Sequence, residues 1–140
     1  MFVLHKQLQK DTILVGHFPL SCLLLMQDAN YPWFILVPQR HSVSEIYQLS
    51  ANDQQQLSRE SAHLAKVLME TYAGYKMNIA ALGNVVPQLH IHHIVRYQND
   101  VAWPSPVWGK VQAKLYTECE LVERLDKLQG KLMTDFKFSR

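Results

Sequence analysis

The stretch Val85-Val86-Pro87-Gln88-Leu89-His90-Ile91-His92-His93-Ile94-Val95-Arg96 decides the fold of this chain. Apart from its histidines it is mostly apolar or β-branched, which predicts a buried or half-buried strand over the whole stretch. Side chains alternate between the two faces of a strand. Gln88, His90 and His92 are therefore expected on one face, with His93 on the other.

This row of one amide and two imidazoles marks a candidate functional site. Polar side chains are costly to place against a sheet unless they meet a ligand or solvent. We therefore expect the face that carries His90 and His92 to contact a ligand or solvent.

Three ordered landmarks resemble the histidine-triad superfamily of nucleotide hydrolases and transferases. The motif of that family is His-φ-His-φ-His-φ-φ, where φ is apolar, and the same frame here runs from Gln88 to Ile94. Upstream, residues 34–41 are similar to the family's strand and Pro-x-x-His turn. Downstream, Trp103-Pro104 is similar to its Trp-Pro segment. The resemblance spans about residues 20–109 and is nearest to the bacterial diadenosine-tetraphosphate-hydrolase-like branch.

The frame departs from the family motif at two positions. Gln88 stands where the family has its first histidine, and His93 stands where an apolar residue is usual. An amide accepts and donates hydrogen bonds but takes up no proton near neutral pH. A proton relay through position 88 is therefore missing, whereas orientation of His90 or contact with phosphate stays open.

The composition predicts one domain over residues 1–140, with its core at about 20–109. Of the 140 residues, 48% are hydrophobic, which is enough for one core. Charged residues make up 19%, the net charge is +2 and there is no basic run, so no nucleic-acid partner is expected. The longest apolar run, residues 22–26, is too short to cross a bilayer, and residues 1–6 lack a signal-peptide pattern. We therefore expect a cytoplasmic protein without membrane association.

Local patterns predict an α+β fold, with a mostly antiparallel sheet of about five strands and helices packed against it. Besides the histidine-rich strand, strands are expected at residues 4–8, 12–15, 20–26, 33–37 and 77–81. Capping pairs that favour helix starts are Ser42 with Glu45, Ser50 with Asp53, and Thr117 with Glu120. The expected helices run from 42 to 49, from 50 to a stop at Gly74, and over about 118–132.

The resemblance implies a catalytic group of His90, His92, His41 and Gln88. His90 matches the family's nucleophile, which attacks a phosphoryl centre and forms a covalent phosphoramidate. His92 matches the third histidine, where a donor holds the non-bridging phosphate oxygens and stabilises charge in the transition state. His41 ends the Pro-x-x-His turn and is expected to orient or polarise the site. The alternative is a histidine at a helix entry that faces solvent.

Four further residues are expected to contact the nucleotide or its phosphates: Asp28, Asn78, Asn84 and Trp103. Asn84 and Asn78 match polar positions near the phosphate, and Asp28 matches an acidic residue for ribose hydroxyls. Plain turn and strand-end roles are the alternatives for these three. Trp103 lies in a segment that shapes the leaving-group side in the family, or else covers the core. The expected partner is a purine nucleotide or nucleotide conjugate, the expected assembly is a homodimer, and no metal or cofactor is expected.

We therefore expect a nucleotide hydrolase or nucleotidyl transferase that acts at the α-phosphate through a nucleotidyl-histidine intermediate on His90. A dinucleoside polyphosphate, a nucleoside phosphoramidate and an acyl adenylate all stay open as substrates. One alternative is a zinc-binding domain that uses His90, His92 and His41. Another is a catalytically weak nucleotide-binding module, because Gln88 interrupts the triad.

Overall fold

The computed structural model describes residues 1–139 and shows an α+β fold built on one antiparallel sheet. Its helices are α1 (Lys6–Asp11), α2 (Ala51–Thr71) and α3 (Glu118–Asp126). Its strands are β1 (Thr12–His17), β2 (Ser21–Met26), β3 (Trp33–Pro38), β4 (Lys76–Ala80), β5 (Ile91–Arg96) and β6 (Lys137–Phe138). The strand order is β4-β5-β3-β2-β1-β6, and each neighbouring pair is antiparallel. The predicted α+β class is confirmed, with six strands in this part of the chain where about five were expected.

The sheet is buried on both faces at its centre. Every residue of β3 is buried, and so are all residues of β2 except Met26. The first face packs against α2, α3 and the C-terminal residues, in a core that includes Leu23, Phe34 and Leu64. The second face carries Trp33 among its buried residues and is covered by residues before β1 and after β5. The histidine-rich strand β5 lies beside β3, so its side chains enter both cores.

Helix α2 begins where its sequence predicts, and it ends at Thr71, with the turn that follows reaching the predicted stop at Gly74. The Ser50 hydroxyl accepts a hydrogen bond from the Asp53 amide (3.1 Å), which satisfies one of the free amides of the first turn. At the other end the Gly74 amide donates to the Met69 carbonyl (3.0 Å). A Cβ at Gly74 would lie 2.4 Å from a Val95 methyl group, so the close approach of this turn to β5 needs glycine.

Four predicted elements were wrong in their type or in their extent. Residues 4–8 were expected as a strand, but α1 begins at Lys6, because the His5 imidazole accepts a hydrogen bond from the Gln7 amide (3.0 Å) and caps it. The helix expected at 42–49 is only a 3-10 turn over Ile46–Gln48. The C-terminal helix, predicted to reach 132, ends at Asp126.

The fourth error concerns the strand of the motif, which begins at Ile91 and not at residue 85. Pro87 has no amide proton for a sheet hydrogen bond, and Val85 is 88% exposed. The residues before Ile91 are therefore a loop that leads into β5. Face alternation applies from His92 onward but does not extend back to Gln88.

Within residues 1–139, no helix is long and apolar enough to cross a membrane.

Candidate active site

Strand β5 sends its two central histidines to opposite faces of the sheet. His92 is paired with Ile35 of β3, and His93 is paired with Phe34. Ile35 belongs to the core of the second face and Phe34 to that of the first. The predicted alternation is thus present for His92 and His93, and the second face is the one that carries the candidate site.

His90 precedes β5 and is held in one tautomer by the backbone. Its Nδ1 lies 2.7 Å from the Gln88 carbonyl oxygen. A carbonyl oxygen only accepts, so Nδ1 carries a proton and donates it. In the neutral ring, Nε2 then keeps an unprotonated lone pair. The side chain is buried, with the whole residue 7% exposed, so this lone pair is oriented and largely shielded.

His92 is held in the opposite tautomer. The indole Nε1–H of Trp33 donates to His92 Nδ1 at 2.9 Å, so the proton of the neutral ring lies on Nε2. Burial, reinforced by the nearby His90 and His93, lowers the pKa of His92 to about 3. The ring centroids of His90 and His92 are 5.0 Å apart. A nucleophilic nitrogen and a neutral N–H donor therefore stand side by side.

Two tryptophans that sequence reasoning did not select complete the surroundings of His92. The Trp108 ring meets His92 edge-on with 5.0 Å between centroids, and it meets Trp33 at 5.7 Å. Nothing in the sequence pairs Trp33 with a histidine 59 positions away. The available signal was the aromatic loop at 103–109, but its tryptophan in contact with His92 is Trp108.

His93 has a structural environment on the other face. Its Nδ1 donates to the Ile91 carbonyl (3.1 Å), and its Nε2 accepts from the Ser61 hydroxyl of α2 (2.7 Å). Burial lowers its pKa to about 4, although the bond to Ile91 opposes this shift. His93 therefore ties α2 to β5 as a neutral group.

Gln88 does not present its side chain beside His90 in a strand row. Its Oε1 accepts from the His5 amide (2.8 Å), and its Nε2 donates to the Val3 carbonyl (2.8 Å). The expected orientation along one strand face was wrong because residue 88 lies before β5. Gln88 holds His90 through its main-chain carbonyl instead.

The turn that carries His41 lies beside the motif, but His41 itself is exposed. The Leu89 amide donates to the Val43 carbonyl (2.9 Å), which joins the two segments. His41 Nδ1 lies 3.3 Å from the Met1 carbonyl, and His41 lines a cavity of about 260 Å³ together with Gln88. Asn84 is exposed in the loop before β5.

Asn78 and Trp103 are gathered around a buried ion pair at the end of β5. Arg96 makes a two-point salt bridge to Asp100 (2.8 and 3.1 Å), and the two side chains are 1% and 3% exposed. Asn78 Oδ1 accepts from Arg96 Nη1 (2.8 Å). The Trp103 ring lies 5.5 Å from the guanidinium carbon. The structure therefore places Asn78 and Trp103 together, with partners other than His90 and His92.

Asp28 closes the turn between β2 and β3. Its Oδ1 accepts from the amides of Asn30 (3.0 Å) and Lys114 (3.2 Å). Asp28 also lines a mostly apolar cavity of about 490 Å³, whose wall includes Trp33 and Met26. The indole that orients His92 thus also forms part of the wall of a cavity near the predicted nucleoside position.

The HIT domain family model matches residues 7–99 of the chain. The chain belongs to the histidine-triad (HIT) family. Proteins of this family are generally nucleotide-binding hydrolases or transferases. Among curated protein sequences, none matches the chain significantly.

Crystal structures of histidine-triad proteins from three bacteria share the whole fold. The protein from Marinobacter aquaeolei VT8 is 52% identical, with a TM-score of 0.92 over 94% of this chain and 96% of that chain. The protein from Bradyrhizobium japonicum is 44% identical, with a TM-score of 0.92 over 94% and 98%. The protein from Sinorhizobium meliloti 1021 is 39% identical, with a TM-score of 0.91 over 94% and 98%.

The indole of Trp33 should matter for catalysis in this HIT protein through the tautomer of His92. Trp33→Phe removes the donor to Nδ1, so the proton of His92 is no longer confined to Nε2. We expect kcat to fall by at least about tenfold, since a wrong histidine tautomer is costly in hydrolases. Nitrogen NMR of the His92 ring should show a mixed tautomer. Trp108→Phe keeps an edge contact without touching this bond, and an equal loss of kcat in both variants would contradict the prediction.

The two buried neutral histidines should make the HIT domain sensitive to acid. The pKa values of His92 and His93 are about 3 and about 4 in the folded protein, against 6.5 for an ordinary histidine. Between pH 6.5 and pH 4 the unfolded state therefore binds more protons. The free energy of unfolding should be highest above pH 6.5 and should fall on acidification, by up to about 1.4 kcal/mol per pH unit for each histidine.

Urea titrations between pH 7 and pH 4.5 measure this slope. His93→Gln removes one of the two groups and should reduce the slope by about half. A slope that His93→Gln leaves intact would show that His93 is not a source of the acid sensitivity.

Proposed function

We propose that this HIT protein is a nucleotide hydrolase or nucleotidyl transferase that acts at the α-phosphate through a nucleotidyl-His90 intermediate. The observation that carries the proposal is the pair of opposite tautomers at His90 and His92. One neighbouring ring has a free nucleophilic nitrogen, and the other has a neutral N–H donor. Such a pair suits attack on phosphorus together with stabilisation of a non-bridging oxygen.

In the first step, the lone pair of His90 Nε2 attacks the α-phosphorus, and the bond from phosphorus to the leaving group breaks. The leaving group departs with that electron pair. The imidazole of His90 becomes positively charged, and its Nδ1–H stays bonded to the Gln88 carbonyl, which favours the charge. Water then attacks phosphorus and releases a proton to solvent, the P–N bond breaks, and Nε2 recovers its lone pair. His92 Nε2–H donates to the phosphate throughout.

The leaving group receives no proton from position 88 in this scheme. An amide takes up no proton near neutral pH, and the Gln88 side chain is bonded to residues 3 and 5. Leaving groups that depart as stable anions therefore suit the site better than amines. We therefore favour dinucleoside polyphosphates and acyl adenylates over nucleoside phosphoramidates as substrates.

The cavity of about 490 Å³ supports a purine nucleoside as the bound group. It is mostly apolar, and its wall includes Met26, Asp28 and Trp33. Apolar concave sites with a few polar groups are typical of small-molecule binding. Because Trp33 also bonds to His92, a base in this cavity would place its phosphates towards the histidine pair.

Mass spectrometry after rapid quenching tests the proposal. Each of the three substrate classes is mixed with the protein, and the peptide that contains His90 is examined for the mass of one nucleotidyl group. We expect this adduct with at least one class and no adduct in His90→Ala. Turnover without an adduct, or an adduct on another residue, would overturn the assignment of His90.

A nucleotide-binding module without turnover is the second candidate, because the side chain at position 88 is engaged with the N-terminal residues. A burst of leaving group equal to the protein concentration supports the enzyme, and binding without a burst supports the module. The three-histidine zinc site gains no support. Among residues 1–139, no three His, Cys, Asp or Glu side chains are gathered so as to hold a metal ion.

Homodimer formation and a cytoplasmic location remain proposals. Strand β4 is at one edge of the sheet, and its Ile79 is 50% exposed. An unpaired edge with an exposed apolar residue favours pairing with a second copy. Light scattering with size-exclusion chromatography tests the dimer, and Ile79→Lys should weaken it. A monomer at all concentrations would overturn it.

A further inference from the structure

Residues 1–5, here called the N-terminal strap, lie on the second face of the sheet. Phe2 and Leu4 are partly buried against the core of that face. The same core contains Trp33, which bonds to His92. The strap is therefore packed on the face that carries the candidate site.

The Gln88 side chain fastens this strap at two points. Its Oε1 accepts from the His5 amide and its Nε2 donates to the Val3 carbonyl, each at 2.8 Å. An amide side chain thus bonds to two alternate residues as a neighbouring strand would. No other neutral side chain of this length offers a donor and an acceptor at one end.

Gln88 also contacts the nucleophile, through its carbonyl to His90 Nδ1 (2.7 Å). Next to it, Met1, Val3 and His41 line the cavity of about 260 Å³ with Gln88. One residue therefore joins the strap to His90, and the cavity of about 260 Å³ lies beside the junction. Gln88 thus has a role that the first histidine of the family motif would not fill, namely two side-chain hydrogen bonds to the strap.

We propose that Gln88 is a positioning residue that holds the N-terminal strap as a wall of the active site, and that this wall limits the size of the leaving group. The part about leaving groups rests on the proposed function. The role of the strap as a wall is independent of the proposed function, because it concerns only access to His90.

Chemical modification of His90 tests the wall without any substrate. Diethyl pyrocarbonate acylates an accessible neutral imidazole nitrogen, and peptide mass spectrometry gives the rate at His90. Gln88→Ala should raise this rate by about fivefold or more, since two hydrogen bonds that hold the strap are lost. Gln55→Ala, at an exposed glutamine of α2, is the matched control and should leave the rate unchanged. Equal rates at His90 in wild type and Gln88→Ala would overturn the proposal.

A second variant removes the hydrogen bond between the His5 amide and Gln88 by changing the strap instead of Gln88. His5 has a φ of −57°, which proline adopts, so His5→Pro deletes the amide donor without forcing a new φ. Because His5 also caps α1, His5→Ala controls for the loss of the imidazole. We expect faster acylation of His90 in His5→Pro than in His5→Ala. In the Gln88→Ala background, His5→Pro and His5→Ala should give the same acylation rate at His90. The side chain that accepts from the amide of residue 5 is already absent there. A difference that persists there would contradict a direct link between His5 and Gln88.

Two substrates with the same leaving oxygen and different size test the effect on selectivity. Attack at the α-phosphorus expels ATP from diadenosine tetraphosphate and inorganic triphosphate from adenosine tetraphosphate. Both groups leave through a phosphate oxygen, but only the first carries a second nucleoside. Gln88→Ala should raise kcat/KM for the larger relative to the smaller by about fivefold or more, mainly through KM. If Gln88→Ala speeds acylation of His90 but leaves the ratio of the two kcat/KM values unchanged, the proposed limit on leaving-group size is overturned. If wild type forms no adduct with any nucleotide, the proposed function fails while the acylation result still decides the wall.

Discussion

His90→Ala is expected to lower the turnover of nucleotide substrates by at least about a thousandfold, while nucleotide affinity stays within about tenfold. Removal of the nucleophile of a well-studied hydrolase costs about 10⁶ in kcat, so a thousandfold is a lower bound. Binding should survive because the cavity beside Trp33 and the donor on His92 remain. Steady-state kinetics and calorimetric titration with a non-hydrolysable nucleotide measure the two quantities.

His17→Ala is the matched histidine control, since His17 lies in β1 and bonds to Gln39 (3.1 Å). It should keep kcat within about twofold, as substitutions outside the reacting centre usually do. Turnover of His90→Ala within a few-fold of wild type would remove His90 from the mechanism. A loss of affinity that equals the loss of kcat/KM would assign His90 to binding.

Asp100→Ala is expected to lower the free energy of unfolding by about 3–5 kcal/mol, because it leaves the guanidinium of Arg96 buried without its partner. Arg96 is 1% exposed, and Asp100 Oδ1 also accepts from the amides of Ala102 and Trp103. The loss therefore includes a charge without compensation and the hydrogen bonds from three backbone amides, because the Tyr97 amide also donates to Asp100 Oδ2. Urea denaturation followed by circular dichroism measures the change.

Asp53→Ala is the matched control for this second prediction. Asp53 pairs with Arg40 at the surface, where the two side chains are 20% and 46% exposed. Pairs of this kind contribute about 1 kcal/mol or less. Similar losses for Asp100→Ala and Asp53→Ala would show that burial does not set the strength of the Arg96 pair.

The same carboxylate adds a further acid-sensitive step. Burial alone would raise the pKa of Asp100, but hydrogen bonds from Arg96 and from the Tyr97 and Ala102 amides outweigh it and lower the pKa to about 2, from 3.8. The stabilisation is complete above about pH 4 and is lost as pH falls towards 2. It amounts to roughly 2 kcal/mol, and Asp100→Ala should abolish it.

Local sequence signals predicted the parts of the fold that depend on neighbouring residues. The cap at Ser50 and the capping box of Thr117 with Glu120 are present, because each needs only residues within three positions. The strands at β2 and β3 follow from continuous apolar runs. The start of β5 was wrong because the apolar pattern continues through Pro87, and the pattern by itself does not show where pairing with β3 and β4 stops.

The expected site residues show the same contrast between residues that are close in sequence and residues that only the fold brings together. His90 and His92 are close in sequence, and the structure keeps their rings together. Asp28, Asn78 and Trp103 were placed by matching positions to a family, and their observed partners are Lys114 and Arg96. Their roles towards a nucleotide remain predictions that these contacts neither require nor test.

By itself, the sequence determined the family, the α+β class and the two histidines at the centre of the site, because each is encoded in a short pattern. Only the tertiary structure decided the state of those histidines. The proton of His92 is placed by Trp33, 59 residues away, and Gln88 meets Val3 across 85 residues. Such contacts depend on how strands and termini pack, and a hydrogen bond between distant residues leaves no periodicity in the chain. The sequence therefore picked out His90 and His92, and the packing of the second face set the tautomer of His92 and the surroundings of both.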